Sequence, residues 1–191
     1  MMAAEQIMSC VRHPGSQGQT WALCFDSRTD CSDCPLARYS SSTGACSCDE
    51  GLRTFHGSCD VHAETVVLGH NAYGYTFGGY AMRPWGSSGA HEAATGDFLF
   101  RLGPGAAAVY KPKGGAGSDS NTHYQFRRHD CWPEWGYHDG SDLNFGYCGG
   151  ALGQLASCNQ GHTYEGRPNE VCGSRYNWGA TAMEVWYRMG K

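Results

Sequence analysis

From residue 64 onward, short apolar runs rich in β-branched or aromatic residues recur along the chain between polar and glycine-rich stretches. Each run is bounded by Gly, Pro or Asn. The pattern predicts strands at Glu64–His70, Tyr73–Tyr80, Asp97–Leu102, Ala107–Lys111, His123–Arg128, Leu143–Tyr147 and Ala182–Arg188. Between them, Gly86–Gly96, Lys113–Asn121 and Gly161–Asn169 read as loops. Helical periodicity is sparse, and only Leu52–Ser58 predicts one or two turns. Residues 1–49 are rich in Cys, Ser and Asp and poor in aliphatic residues. We therefore place a boundary near Glu50, between a Cys-rich N-terminal segment (1–49) and a β domain (50–191). Many short strands joined by glycine-rich turns predict a sandwich or barrel.

Composition sharpens this picture. The chain has 191 residues, enough for one domain with a sizeable core. Aliphatic residues are few, and Ile7 is the only isoleucine. Aromatic residues make up 13% and bury more area each, so the predicted core is aromatic. The 28 glycines argue against long helices. A net charge of −4 offers no basic stripe, which disfavours nucleic-acid binding. No apolar run approaches the roughly 18 residues of a membrane span.

Eleven cysteines are many for a reduced cytosolic protein. They are Cys10, Cys24, Cys31, Cys34, Cys46, Cys48, Cys59, Cys131, Cys148, Cys158 and Cys172, and all are disulfide candidates. Their spread suggests several staples, with connectivity left open, and the odd count leaves at least one without a partner in its own chain. Cysteine usage favours an oxidising compartment, outside the cell or at its surface. Met1–Cys10 has no apolar core of signal-peptide length and no Asn-x-Ser/Thr sequon occurs, so a cytoplasmic location is the alternative.

The order of several short motifs carries a resemblance. Phe55-His56 is followed by Cys59-Asp60, an apolar run, Phe77-Gly78-Gly79-Tyr80, Trp85 and Phe98-Leu99-Phe100-Arg101-Leu102. Then come Trp135-Gly136, Asp142-Leu143 and a closing Glu184-Val185-Trp186-Tyr187. This series, over about residues 50–188, resembles the TLDc domain of oxidation-resistance proteins. The resemblance implies two antiparallel sheets packed as a sandwich with short helices. It also implies oxidation resistance and, for some relatives, contact with the vacuolar proton-pumping ATPase. The chain departs from the family where a Trp replaces the Phe before Gly136 and where Cys-rich sequence replaces the usual N-terminal stretch. Separately, Cys31, Cys34, Cys46 and Cys48 with Gly44 and Gly51 resemble the small Cys-rich modules of receptor ectodomains.

Candidate chemistry is thin. Cys31, Cys34, Cys46 and Cys48 would supply four thiolates to zinc, but one residue separates the second pair where zinc knuckles use two or more, so disulfides are preferred. Asp139, Asp142 and Asn144 would offer oxygens to calcium, yet the run lacks the length and bidentate Glu of an EF-hand loop, so turn formation is preferred. His129-Asp130 and His138-Asp139 are sequence neighbours, and neighbours on a strand face opposite ways. Gly78-Gly79 reads as a backbone turn or bulge, not a phosphate cradle. Tyr73, Tyr75, Tyr80, Trp85, Trp132, Trp135 and Tyr137 would stack on sugars, but a core role is preferred. Glu64, Arg101 and Glu184 read as solvated.

The sequence thus predicts no catalytic residues and no cofactor. It predicts a non-enzymatic interaction or structural module, disulfide-stabilised and extracellular, with a protein partner. Its alternatives are an intracellular stress-protection protein contacting the vacuolar ATPase and a glycan-binding module.

Overall fold

The computed structural model describes residues 20–30, 49–86, 90–92, 96–113, 125–136, 141–146, 148, 152–153, 156–174 and 180–190. These residues form ten strands and two helices: β1 (Trp21–Asp26), α1 (Ser27–Asp30), α2 (Asp49–Cys59), β2 (Thr65–Asn71), β3 (Thr76–Ala81), β4 (Ala90–Glu92), β5 (Phe98–Gly103), β6 (Ala108–Tyr110), β7 (Gln125–Arg127), β8 (Glu134–Trp135), β9 (Leu143–Asn144) and β10 (Ala180–Arg188). One sheet runs β1-β10-β2-β3-β5-β6 and the other β4-β7-β8-β9. Every pairing is antiparallel. The predicted two-sheet antiparallel sandwich is the observed fold.

All seven predicted strands have a counterpart. Tyr73–Tyr80 starts later, at Thr76, because Asn71 closes a turn first. Its Oδ1 accepts the N–H groups of Tyr73 and Tyr75, and Gly74 takes a φ of 80°. Leu143–Tyr147 shortens to Leu143–Asn144, although Phe145 N–H still reaches Pro133 O at 3.1 Å in the same register. Tyr147, His123 and Tyr124 lie outside the described residues. The expected loop Gly86–Gly96 holds β4, and β8 was not anticipated. Nor was β1, which comes from before the boundary at Glu50 and pairs with β10 along Trp21↔Arg188 to Asp26↔Glu184.

Helix α2 is longer than the predicted Leu52–Ser58, despite Gly51 and Gly57. Its stability comes from one apolar face. Leu52, Phe55 and Cys59, spaced three and four residues apart, are buried. Phe55 enters the core between Phe25, Trp132 and Trp85 at centroid distances of 5.9, 6.1 and 6.1 Å.

The core is aromatic, as the composition requires. From Trp85 the rings continue to Trp135 at 5.0 Å, to Phe145 at 6.4 Å and to Phe77 at 5.9 Å. This row ties the inner faces of both sheets to α2 and β1. On the outer face of the larger sheet, Val66, Leu68, Tyr80 and Phe100 form a second apolar cluster, flanked by Trp21, Phe98 and Leu102.

Candidate functional site

Of the residues that carry the sequence motifs, Phe55, Phe77, Trp85, Leu99, Trp135, Leu143 and Val185 enter the main core, while Tyr80, Phe98, Phe100 and Leu102 join the outer-face cluster. The two glycines of β3 are sites of close approach within a strand, not in a turn as expected. The nearest bulge lies just before them, between Thr76 and Phe77. A Cβ on Gly79 would stand 2.6 Å from the Trp135 indole, and one on Gly78 would meet the Val67 carbonyl and, at 2.9 Å, the Phe100 ring. Gly79 admits the facing sheet's largest ring, and Gly78 admits the outer-face Phe100. Trp85 Nε1 donates to Thr65 Oγ1 at 2.8 Å, which satisfies its buried N–H. Leu99, Leu143 and Val185 are fully buried core residues.

Asp142 is buried and collects backbone donors from one loop. Its Oδ1 accepts the N–H groups of Gly161 (2.8 Å), His162 (3.1 Å) and Tyr164 (3.4 Å), and its Oδ2 accepts Thr163 N–H (2.8 Å). Burial pushes its pKa up, against the pull of these donors. Gly136 makes room for it with a φ of 87°, since a Cβ there would overlap the Asp142 carboxylate. These four N–H donors occupy the carboxylate oxygens that a calcium ion would need as ligands. Asn144 Oδ1 accepts Ser157 N–H at 2.9 Å, and Asp139 lies outside the described residues.

His56 stands between two acceptors. Its Nδ1 is 2.8 Å from Asp60 Oδ1 and its Nε2 is 2.9 Å from Cys131 O. The ring therefore ties α2 to the segment before β8, and neither nitrogen is left over for proton transfer to a substrate. Asp130, beside the exposed His129, instead accepts from Arg128 Nε at 2.9 Å and Nη2 at 2.6 Å. His138 and Asp139 lie outside the described residues.

Three pairs of cysteines are bonded. Cys24–Cys59 joins β1 to α2, Cys131–Cys148 closes the loop across β8 and β9, and Cys158–Cys172 closes the loop that Asp142 organises. Cys10 and the four zinc candidates Cys31, Cys34, Cys46 and Cys48 lie outside the described residues. Among the described residues no group of three His, Cys, Asp or Glu converges as a metal centre.

Two carboxyls that no motif singled out are perturbed. Asp97 is buried, accepts Met82 N–H on Oδ1 at 2.8 Å, and has no partner for Oδ2. Burial pushes its pKa up to about 7, against the Met82 bond and Arg83. Burial likewise pushes Glu134 up to about 6, although Ser141 Oγ donates to it. Each carboxyl is held by a residue of a neighbouring segment, Asp97 by Met82 N–H and Glu134 by the Ser141 hydroxyl.

The charges expected to be solvated are engaged. Glu184 joins Arg28, and its Oε2 accepts Trp186 Nε1 at 2.9 Å. Glu64 pairs with Arg188, and Arg101 Nη1 donates to Glu170 O at 2.8 Å. Of the rings considered for sugar stacking, Tyr80, Trp85, Trp132 and Trp135 are buried in the two apolar clusters and Tyr75 is half-buried. Only Tyr73 is exposed among those described. Tyr137 lies outside the described residues.

No helix among the described residues is long and apolar enough to cross a membrane. A family model described as the TLDc domain matches residues 47–188. No curated protein matches the chain significantly.

Proposed function

The chain belongs to the TLDc domain family, and from that premise we propose that it acts as a non-enzymatic interaction module, held by disulfides and working outside the cell or at its surface. One observation carries this reading. The bonded cysteines sit at three structural seams: an edge strand to a helix, the β8–β9 loop, and the loop on Asp142. A cytosol would keep those thiols reduced. Support for interaction over catalysis comes from how polar groups are used. His56, Asp142, Glu184 and Arg101 are each engaged in holding one element to another. Among the described residues, the large apolar side chains left exposed are Leu23, Val61, Tyr73, Met82, Val109 and Met189.

The test is the intact mass after alkylation without reduction. Eleven cysteines less the six in these bridges leave five able to react. A monomer with an odd cysteine total must add an odd number of labels, so one, three or five are expected. Nine or eleven labels would overturn the extracellular reading. The intracellular stress-protection reading, with the vacuolar ATPase as partner, would then lead.

A further inference from the structure

The larger sheet ends at β6, and among the described residues only part of its outer edge is covered. Lys111 and Lys113 turn their backbone groups away from β5, toward residues 163–165. Glu165 N–H reaches Lys111 O at 2.8 Å, and Lys113 N–H reaches Thr163 O at 2.9 Å. Backbone groups alternate between the two sides of a strand, so Val109 and Ala107 point the same way as Lys111. Their β5-facing neighbours are consistent with this, since Ala108 pairs with Arg101 and Tyr110 with Leu99. The covering chain does not reach Val109. Gly166, with a φ of 103°, turns it beneath the sheet against the Tyr110 ring. Among the described residues, nothing takes up the backbone N–H and C=O of Val109 or Ala107.

A mainly apolar groove of about 100 Å³ adjoins this edge, lined by Phe98, Phe100, Leu102, Ala107, Ala108 and Val109 together with Arg101. Val109 itself is 45% exposed. A residue added opposite Val109 would project its side chain onto the same face, over the groove. The volume suits a single aliphatic side chain; a cavity of about 150 Å³ holds a benzene.

We propose that the β6 edge is a docking site for an extended apolar segment of a partner protein, which adds as a further strand and seats one aliphatic side chain in the groove. Free backbone groups select an extended chain, and the groove selects the residue that faces Val109. This inference rests on the interaction-module reading and names its surface.

The experiment uses the full chain, isotope-labelled, and an acetylated, amidated peptide of alternating valine and lysine. The Val109 amide is expected to shift in the NMR spectrum and to gain protection from hydrogen exchange. Val109→Pro removes the edge N–H without touching the β5 ladder, and is expected to weaken binding at least tenfold. Val109→Asp, which keeps the N–H but charges the groove's rim, guards against a misfolded proline variant and should weaken binding similarly. Peptide binding that leaves the Val109 amide unmoved, or no binding at millimolar peptide, overturns the edge proposal. The disulfide-held, extracellular reading would survive either result, because its own test is the thiol count.

Discussion

Gly79 and Trp135 meet face to face across the sandwich, with the indole 2.6 Å from where a Cβ on Gly79 would stand. The distance between the sheets at this point is set by the missing side chain. Gly79→Ala should therefore force the ring or the strand to move and cost about 2 kcal/mol, within the usual range for overpacking. For a chain of this length that is a fall in Tm of about 4–8 °C. Gly57, with open space around its Cβ position on α2, is the control. Gly57→Ala should raise stability by up to about 1 kcal/mol through helix propensity. Thermal melts of both variants decide the matter, and equal melting of Gly79→Ala and the parent would refute the contact's role.

Strand existence was legible where local pattern and pairing coincide. β2 and β3 are joined by the four residues 72–75, next to Asn71 and including Gly74, and both are visible in the sequence. β1 was not, because its partner β10 lies at the far end of the chain and no turn signal links them. Its bulge between Leu23 and Phe25 also breaks the alternation that marks a strand. The motif residues were legible as a set, but not their roles. That Asp142 gathers four backbone N–H groups depends on a loop about twenty residues downstream. Nor does any local feature reveal that Asp97 is buried, since its environment is made by Met82 and Arg83 of the preceding strand's end.

That burial predicts a pH dependence. Folding raises the Asp97 pKa from 3.8 to about 7, so the folded state holds a proton that the unfolded chain releases. Its contribution is present below pH 3.8 and is lost as pH rises toward 7. Glu134, raised from 4.5 to about 6, acts in the same direction over a narrower window. Asp97→Asn keeps an acceptor for Met82 N–H and removes the titration. The variant should match the parent near pH 4 and exceed it at pH 7.5 by a few kcal/mol. A gap in Tm that stays constant between those pH values would rule out the mechanism.

His56 supplies a separate test of how the helix is anchored. Its two ring nitrogens face Asp60 Oδ1 and Cys131 O, and the latter contact is buried. His56→Ala strands the carbonyl as well as opening a gap beside Phe55, so a loss of about 2–3 kcal/mol is expected. His56→Gln retains one donor and should lose less. Chemical denaturation measures both, and identical midpoints for the two variants would show that the hydrogen bonds contribute nothing beyond packing.

The disulfides differ in what they close. Cys158 and Cys172 are fully buried, and the loop between them is also tied by Asp142 and by Gln160, whose Oε1 accepts Val171 N–H at 2.9 Å. The bridge and these hydrogen bonds constrain the same backbone, so their effects should not be independent. Cys158→Ala with Cys172→Ala is expected to cost about 2–4 kcal/mol in the parent. In an Asp142→Asn background, where the loop is already loosened, removing the bridge should cost a different amount, with a coupling of about 0.5–3 kcal/mol. A double-mutant cycle in urea reads that coupling directly. Strict additivity would mean that the carboxylate and the disulfide stabilise separate parts of the loop, and that Asp142 does not organise the segment the bridge encloses.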